Sequence, residues 1–461
     1  MGFRIDKDSL GEIKIREDAY YGPFTARAIE HYKVTKQTMH EKMIKAFVMI
    51  KQAAALANME LNRLDKDKGN AIVSACNEIL NGKLLDQFLV DAINSGAGTA
   101  FNMNVNEVIA NRALELLNRR KGEYDIIHPN DHVNMSQSSN DTFPTALHIA
   151  VLMNIDELLP ILSELISVLR SKEQEFNDII KIGKTHLMDA LPVTLGSEFG
   201  AYAIAIEKAT KTIKDCKTLL EHIALGGTAV GTGANSPKGY REKVIKHLSI
   251  ISGLDLKAED NMQFGLQSRF AIANTSSSLR NLALELIRIA NDLRLLASGP
   301  KVGFREINIP AIHAGSSIMP GKVNPSLAEC LNMVCFNVIG NDHAVALAVQ
   351  AGQLELNVML PVMAKCMLES IDMLKGILRS FIDNMLKGIS ANREMIEADV
   401  KKNPILITLL APKIGYMKAA EIYKEALKRD SSIKDLVLEK NLLSKEETER
   451  LLDIRRLFED G

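Results

Sequence analysis

The first residues alternate apolar and polar, with Phe3 and Ile5 on one side of Leu10-Gly11 and Ile13 and Ile15 on the other. Period-two alternation around a glycine predicts a short hairpin. After that the period lengthens to the helical one. Over 41–62, Met43, Ile44, Phe47, Val48, Ile50 and Leu56 share a broad face, which predicts an amphipathic helix. Shorter helical patterns follow at about 68–81, 84–94 and 105–118.

The middle of the chain carries much longer patterns. One begins at Asn140-Asp141, natural N-cap residues, with Pro144 in its first turn, and runs to about 180. Its stripe includes Leu147, Val151, Ile155, Leu158, Leu162, Leu165, Leu169 and Phe176. Pro160 inside it is expected to kink the rod without ending it. Further stretches cover about 193–225, 262–297, 325–350 and 353–389. A helix of roughly 30 residues is about 45 Å long, and rods of that length bury their stripes against one another, as a helical bundle.

Near Asn403-Pro404 the segments shorten, ending in a charged helix over 445–459. This predicts a mainly α protein in three parts: a mixed, mostly helical region over 1–139, a long-helix bundle over 140–394 and a small helical region over 395–461. Apolar residues wrap far round the central rods, as in Leu282, Ala283, Leu284, Leu286, Ile287, Ile289 and Ala290. Such helices bury more than one side, so other subunits are expected to complete the bundle in a closed oligomer.

Composition removes several classes. The 461 residues are 46% hydrophobic and 25% charged, which excludes disordered, collagenous and coiled-coil chains. With 56 basic and 57 acidic side chains the net charge is -1, without the global basic excess of a nonspecific nucleic-acid binder. Tryptophan is absent, which disfavours aromatic stacking platforms. The five cysteines, Cys76, Cys216, Cys330, Cys335 and Cys366, are scattered and form no CxxC; buried free thiols are expected. The first twenty residues are charged throughout, with no signal-peptide core. No apolar run approaches the ~18 residues that span a bilayer. A cytoplasmic protein with no membrane or nucleic-acid partner is expected.

Four segments between the helices concentrate small polar residues. They are Ser95–Thr99, leading to Asn102 and Asn104; His128-Pro129-Asn130-Asp131, continuing to Ser138-Ser139-Asn140-Asp141; Lys184-Thr185-His186-Leu187-Met188-Asp189; and Gly315–Pro325. The last places two hydroxyls (Ser316, Ser317), one ammonium (Lys322) and one amide (Asn324) within nine residues of a loop to which Gly315 and Gly321 give backbone freedom, enough to bind a carboxylate several ways. The plainer reading is a solvated loop capping the next helix through Asn324 or Ser326, with Ser326 and Glu329 as a capping box. A Gly-flanked loop with Ser and Lys also suits a closing lid. Thr185-His186 reads either as a buried histidine at a helix entrance or as a site histidine exchanging charge near neutral pH. Ser138-Ser139-Asn140 reads as a helix cap or as an anion contact, and a helix N-terminus does both. His128 and Asp131 are either ordinary loop residues or an anion-handling pair. Gly226–Gly233 matches no nucleotide-binding glycine pattern, and HExxH and GxSxG are absent.

Gly315-Ser-Ser-Ile-Met-Pro-Gly-Lys-Val-Asn324 resembles the signature of the fumarase/aspartase superfamily, whose members eliminate across a C–C bond to release fumarate. Gly96–Asn104, Ser136–Asp141 and Lys184–Asp189 agree with it in order and spacing, and the resemblance spans essentially the whole chain. It implies a homotetramer whose five-helix bundles form a twenty-helix core, with each active site shared by three subunits and a small dicarboxylate as substrate. It implies Ser316 as the catalytic base, with Lys322 and Asn324 holding the carboxylate beside the deprotonated carbon. Ser317 lies in the same loop as a substrate contact. Thr99, Ser138, Ser139, Asn140, Thr185 and the catalytic His186 would surround the other carboxylate and the leaving group. His128, Asn130 and Asp131 resemble a second anion site. No metal and no organic cofactor are implied.

Within the superfamily the signals divide. Asp18–Gly22, Asp86–Asp91, Lys121–Tyr124, Asn291–Leu296 and Ala351–Met359 resemble the aspartase branch, as does Ala97, where fumarases usually carry Ser. His128-Pro-Asn-Asp131 and Ser138-Ser139-Asn140-Asp141 resemble the fumarase branch, while Met188 and Ser326-Leu327-Ala328 match neither well. The aspartase-like features are more numerous, and Ala97 sits beside the chemistry. Elimination of ammonia from L-aspartate is therefore the expected reaction. Hydration of fumarate is the alternative, and a silent structural relative is a third reading that the intact Ser316, Lys322, Asn324 and His186 set disfavours.

Overall fold

The computed structural model describes residues 2–458. The expected hairpin forms from β1 (Phe3–Asp8) and β2 (Gly11–Arg16), antiparallel and closed at Asp8↔Gly11. Arg4 ties it down, donating to Asp6 and to the carbonyls of Ala19 and Tyr21, both at 2.7 Å. There follow α1 (Pro23–His31), α2 (Glu41–Glu60), α3 (Lys66–Leu80) and α4 (Thr99–Leu116). His40 caps α2 and Asp65 caps α3 by accepting first-turn N–H groups. The helix expected over 84–94 is absent. Leu84 is left-handed, only Leu85–Gln87 makes a 3-10 turn, and the Asp91 carboxylate accepts the N–H groups of Val34, Thr35 and Lys36. Phe88 and Val90 are buried from this loop, so their apolar spacing reflects packing without a helix.

Five long rods follow: α5 (Ser139–Glu175), α6 (Leu195–Leu220), α9 (Phe270–Leu296), α10 (Ser326–Gln350) and α11 (Leu360–Asn384). The shorter α7 (Tyr240–Ser252) and α8 (Met262–Gln267) lie between α6 and α9. Helix α5 runs through Pro160. It begins one residue earlier than the cap expected at Asn140-Asp141. Ser138 Oγ accepts the Asn140 N–H at 3.2 Å, and Asp141 Oδ1 accepts the Ser138 N–H at 3.0 Å, a reciprocal box. The stretch expected over 193–225 is preceded by an unforeseen hairpin, β3 (Ile180–Thr185) with β4 (Met188–Thr194). The 262–297 pattern breaks at Ser268, whose hydroxyl accepts the Phe270 N–H and starts α9. The last rod begins at Leu360, later than expected, because Asn357 stops the chain after α10. Its amide donates to the Ala348 and Val349 carbonyls at 3.0 Å, and its oxygen accepts the Met359 N–H.

The chain divides into two compact, discontinuous units. One takes Met1–Pro160, Ala209–Leu284 and Val334–Gly376; the other takes Ile161–Lys208, Glu285–Met333 and Ile377–Gly461. In the first, α5 meets α6 through His148 and the Leu220 carbonyl, α9 meets α10 through Ser276 and Asp342, and α10 meets α11 through Asn341 and Ser370. In the second, Arg170 of α5 pairs with Glu207 of α6, Tyr202 of α6 donates to Asp292 of α9, and Asn332 of α10 donates to Asn291 of α9. The mainly α, long-helix bundle architecture is therefore as expected.

After α11 come α12 (Arg393–Lys402), α13 (Ala411–Ile414), α14 (Tyr416–Arg429), α15 (Ile433–Glu439) and α16 (Lys445–Leu451). The last four gather around Leu410, Ile422, Leu436 and Val437, whereas α12 packs through Val400 against Ile182 of the β3 strand. The helix expected over 445–459 stops at Leu451 and gives way to a 3-10 turn, Ile454–Phe458, after Asp453; residue 459 lies outside the described residues. All five cysteines are free, four of them buried. Among the described residues no helix is long and apolar enough to cross a membrane.

Candidate active site

In the first unit two helix N-termini converge. Gly98, at φ +64°, precedes α4, and a Cβ there would lie 1.9 Å from the Phe143 ring of α5. Only glycine permits that approach. The result is that Thr99 Oγ1 and Ser139 Oγ stand 3.0 Å apart, one at the head of each helix. Ser95 accepts the Ala100 N–H, and the Ala97 N–H is taken by the Val358 carbonyl at 2.8 Å. Asn140 reaches outward to the Ala229 carbonyl at 2.9 Å. Two positive dipole ends and the Thr99 and Ser139 hydroxyls therefore come together, an arrangement suited to a carboxylate.

Two buried charges brace this cluster. The Asp141 carboxylate accepts N–H groups from Ser138, Gly226 and Thr228 at 3.0, 3.1 and 2.9 Å. Burial still pushes its pKa up to about 6. Lys51, fully buried on α2, donates to Asn102 Oδ1, Asn134 Oδ1 and Gln137 Oε1 at 2.7, 2.8 and 3.0 Å. Burial pulls the ammonium down to about 7, against the opposing charge of Asp141. The sequence reading missed Lys51. Its only signal was a lysine set into the apolar run between Ile50 and Ala53.

His128, Asn130 and Asp131 form a separate turn of the same unit. His128 Nδ1 accepts the N–H groups of Asn130 and Asp131 at 3.1 and 3.3 Å, and an Asp131 oxygen lies 3.7 Å away. His128 thus caps the turn, the plainer of its two readings. Its face, with Asn130, also lines a cavity of about 530 Å³ shared with Lys7, Arg27 and His31. Arg27 is already paired with Asp8.

In the second unit the β3–β4 hairpin carries Thr185 and His186 at its tip. His186 and Leu187 are both left-handed, at φ +56° and +63°, the twist a two-residue hairpin turn demands and normally gives to Asn or Gly. Two non-glycine residues held so are costly, roughly 1 kcal/mol or more each. His186 is exposed, and Leu187 and Met188 beside it are 63% and 70% exposed. The buried histidine at a helix entrance is therefore not what forms. Buried Lys181 anchors the hairpin to Glu198 and Glu306, and Lys184 pairs with Asp189 while its ammonium lies over the Phe304 ring.

The Gly315–Pro325 loop belongs to the same unit. Gly315 sits at φ +80°, and a Cβ there would be 1.5 Å from the Lys322 carbonyl oxygen, so the two strands of the neck close only on glycine. Ser316 Oγ accepts the N–H groups of Met319 and Ile318 at 2.9 and 3.2 Å. Ser317 and Lys322 are exposed with no side-chain hydrogen bond or ion pair among the described residues, Asn324 is half-buried, and Ile318 is 82% exposed at the tip. The expected Ser326–Glu329 capping box does not form. Ser326 is already the first residue of α10, its hydroxyl faces His313, and Glu329 turns to Arg294. Among the described residues no hydrogen bond joins His186 to Ser316.

The geometry thus defines three polar, donor-rich elements: paired helix ends, a strained hairpin tip and a glycine-necked serine loop. A family described as "Lyase" matches residues 11–340, and "Fumarase C C-terminus" matches residues 406–459. The chain belongs to this fumarase/aspartase superfamily of lyases. It is 48% identical to an aspartate ammonia-lyase of Bacillus subtilis, over 100% of this chain and 97% of that relative. It is 44% identical to a class II fumarate hydratase of Thermus thermophilus, over 99% and 98%. A solved fumarate lyase:delta crystallin of Brucella melitensis, bound to cobalt, superposes with a TM-score of 0.95 at 43% identity, covering 99% of each chain.

Proposed function

We propose that this chain is an L-aspartate ammonia-lyase. The observation that carries the reading is the Ser316 hydroxyl, which receives two backbone N–H groups at 2.9 and 3.2 Å in a loop that only glycine can close. Donors aimed at a hydroxyl oxygen favour its anion. Serine is a poor base in water, and these amides, with Lys322, supply what an alkoxide needs. Ser316 as alkoxide takes a proton from Cβ, and the electron pair moves into the adjacent carboxylate to give an aci-carboxylate dianion. Lys322 and Asn324 hold that carboxylate, where concentrated donors and positive charge matter most. Collapse of the dianion forms the C=C bond and breaks the Cα–N bond. The substrate ammonium leaves as ammonia, fumarate is released, and the proton on Ser316 passes on to restore the base.

Thr99, Ser138, Ser139, Asn140 and Thr185 receive the other carboxylate, with His186 beside the departing amine. Three subunits of a homotetramer contribute the elements to each site, each subunit being divided into 1–139, 140–394 and 395–461, with the site residues drawn from the first two parts. Exposed apolar side chains on the long helices support assembly, among them Leu284, Met333, Phe336 and Leu347. The setting is cytoplasmic, the substrate a free dicarboxylate. Ala97 favours ammonia over water as leaving group. It is buried, its N–H is committed to Val358, and it offers no hydroxyl beside Thr99. The second reading, a fumarate hydratase, is favoured by His128 and Asn130 facing a cavity with Lys7 and Arg27, as a second anion site would. Fumarate absorbance followed with L-aspartate and, separately, with L-malate tests the choice. Turnover of malate but not aspartate overturns it.

A further inference from the structure

We propose that His313 is a positioning residue that clamps both ends of the Ser316 loop. The inference rests on the lyase reading of that loop and extends it to a residue outside the signature. His313 Nδ1 accepts the Gly315 N–H at 3.1 Å, and His313 Nε2 lies 3.1 Å from Ser326 Oγ. The first contact fixes the tautomer. Nδ1 must carry the lone pair, so the proton is on Nε2 and is donated to Ser326.

One ring therefore joins the residue where the loop leaves to the residue where α10 begins. Between those points little else holds the loop. Ser317 and Lys322 make no side-chain hydrogen bond or ion pair among the described residues, and Ile318 is 82% exposed at the tip. The remaining bonds are internal: Ser316 with the Ile318 and Met319 N–H groups, and the Lys322 N–H with the Met319 carbonyl. They shape the loop but do not fasten it to the body of the protein.

Gly315 is the direct neighbour of Ser316, so a rotation at the neck swings the base. Misplacing a reacting group by an ångström lowers the rate steeply. The imidazole, held by its two contacts, limits that rotation. Each contact is a solvent-facing hydrogen bond, so losing both is expected to cost roughly three- to tenfold in kcat.

The test compares full-length wild type with H313A, H313Q and S326A. In H313Q the amide oxygen can accept from Gly315 and the NH₂ can donate to Ser326, whereas H313A offers neither. The inference expects H313A to lose kcat three- to tenfold with KM nearly unchanged, H313Q to recover most of it, and S326A to fall between. Amide hydrogen exchange over 313–326 is expected to quicken in H313A and to return towards wild type in H313Q, with the thermal midpoint constant. A purely structural role would lower the midpoint without this split or rescue, and would overturn the inference. So would wild-type loop exchange in H313A, whatever the activity. A wild-type chain that turns over neither aspartate nor malate overturns the lyase reading instead, and the two failures are thereby distinguished.

Discussion

The Lys51 ammonium lies 2.7 Å from Asn102 Oδ1, fully buried, with Asn134 and Gln137 as its other acceptors. Three amide oxygens satisfy its three protons, and they draw α2, α4 and the approach to Ser138 together. Replacing Lys51 with Met removes the cation and three charge-assisted hydrogen bonds, each worth about 1.5–3 kcal/mol. Gln137 Oε1 loses the donor described for it, while Asn134 Oδ1 keeps only the Asn102 and Asn106 amides and Asn102 Oδ1 only the Thr142 hydroxyl. Lys51→Met is expected to lower the thermal midpoint and to reduce kcat/KM at least tenfold. Differential scanning calorimetry and initial rates check this. A variant with wild-type stability and activity contradicts the bracing role.

Ser316 is expected to carry the proton transfer. Removing a positioned base costs about 10²–10⁴ in rate, so Ser316→Ala is expected to lose at least a hundredfold in kcat while keeping its circular dichroism and native mass. Near wild-type kcat in a correctly folded variant contradicts the assignment.

Gly315 and Gly321 share left-handed backbone but not surroundings. A Cβ at Gly315 meets the Lys322 carbonyl oxygen at 1.5 Å, whereas one at Gly321 meets nothing within 4 Å. Gly315→Ala must open the neck. Gly321→Ala costs only the conformational penalty, about 1–2 kcal/mol. Activity in Gly315→Ala is expected to fall at least tenfold below that of Gly321→Ala, and equal losses contradict the neck geometry.

His148 is buried in α5 with Nδ1 at 3.1 Å from the Leu220 and His222 carbonyls. Burial, with the nearby Arg269 charge, pushes its pKa down to about 4, against those carbonyls. An unfolded histidine titrates near 6.5. Between about 6.5 and 4 the unfolded chain binds a proton that the folded chain refuses, so stability falls as pH drops through that window, by roughly 3 kcal/mol in full. The wild type is expected to lose more of its thermal midpoint between pH 7 and pH 5 than His148→Gln, whose amide keeps a donor for the carbonyls. Equal losses contradict a neutral, buried His148.

Much of this fold was legible because long rods repeat their apolar spacing over many turns, as Leu147 to Phe176 do, and no local signal competes. The loop over 84–94 was not. Its apolar residues are buried from irregular backbone, and the Asp91 side chain, gathering N–H groups from 34–36, leaves no trace in periodicity. The β3–β4 hairpin was hidden for a related reason. Its turn uses His186 and Leu187 instead of Asn and Gly, and Leu191 and Val193 run straight into the apolar pattern of α6. The proposed site residues stand out in the sequence as clusters of small polar groups, several of them beside glycines. Lys51 and His313 do not stand out in this way, since Lys51 acts through Asn102, Asn134 and Gln137 and His313 bridges to Ser326, contacts that periodicity does not show.

The central claim is that the leaving group is ammonia. Fumarate incubated with ammonium chloride and the purified protein, followed by proton NMR, tests it in one vessel because water and ammonia compete for the same double bond. The account predicts that L-aspartate accumulates with little L-malate. Accumulation of L-malate alone, at an ammonium concentration saturating for an ammonia-lyase, would contradict it.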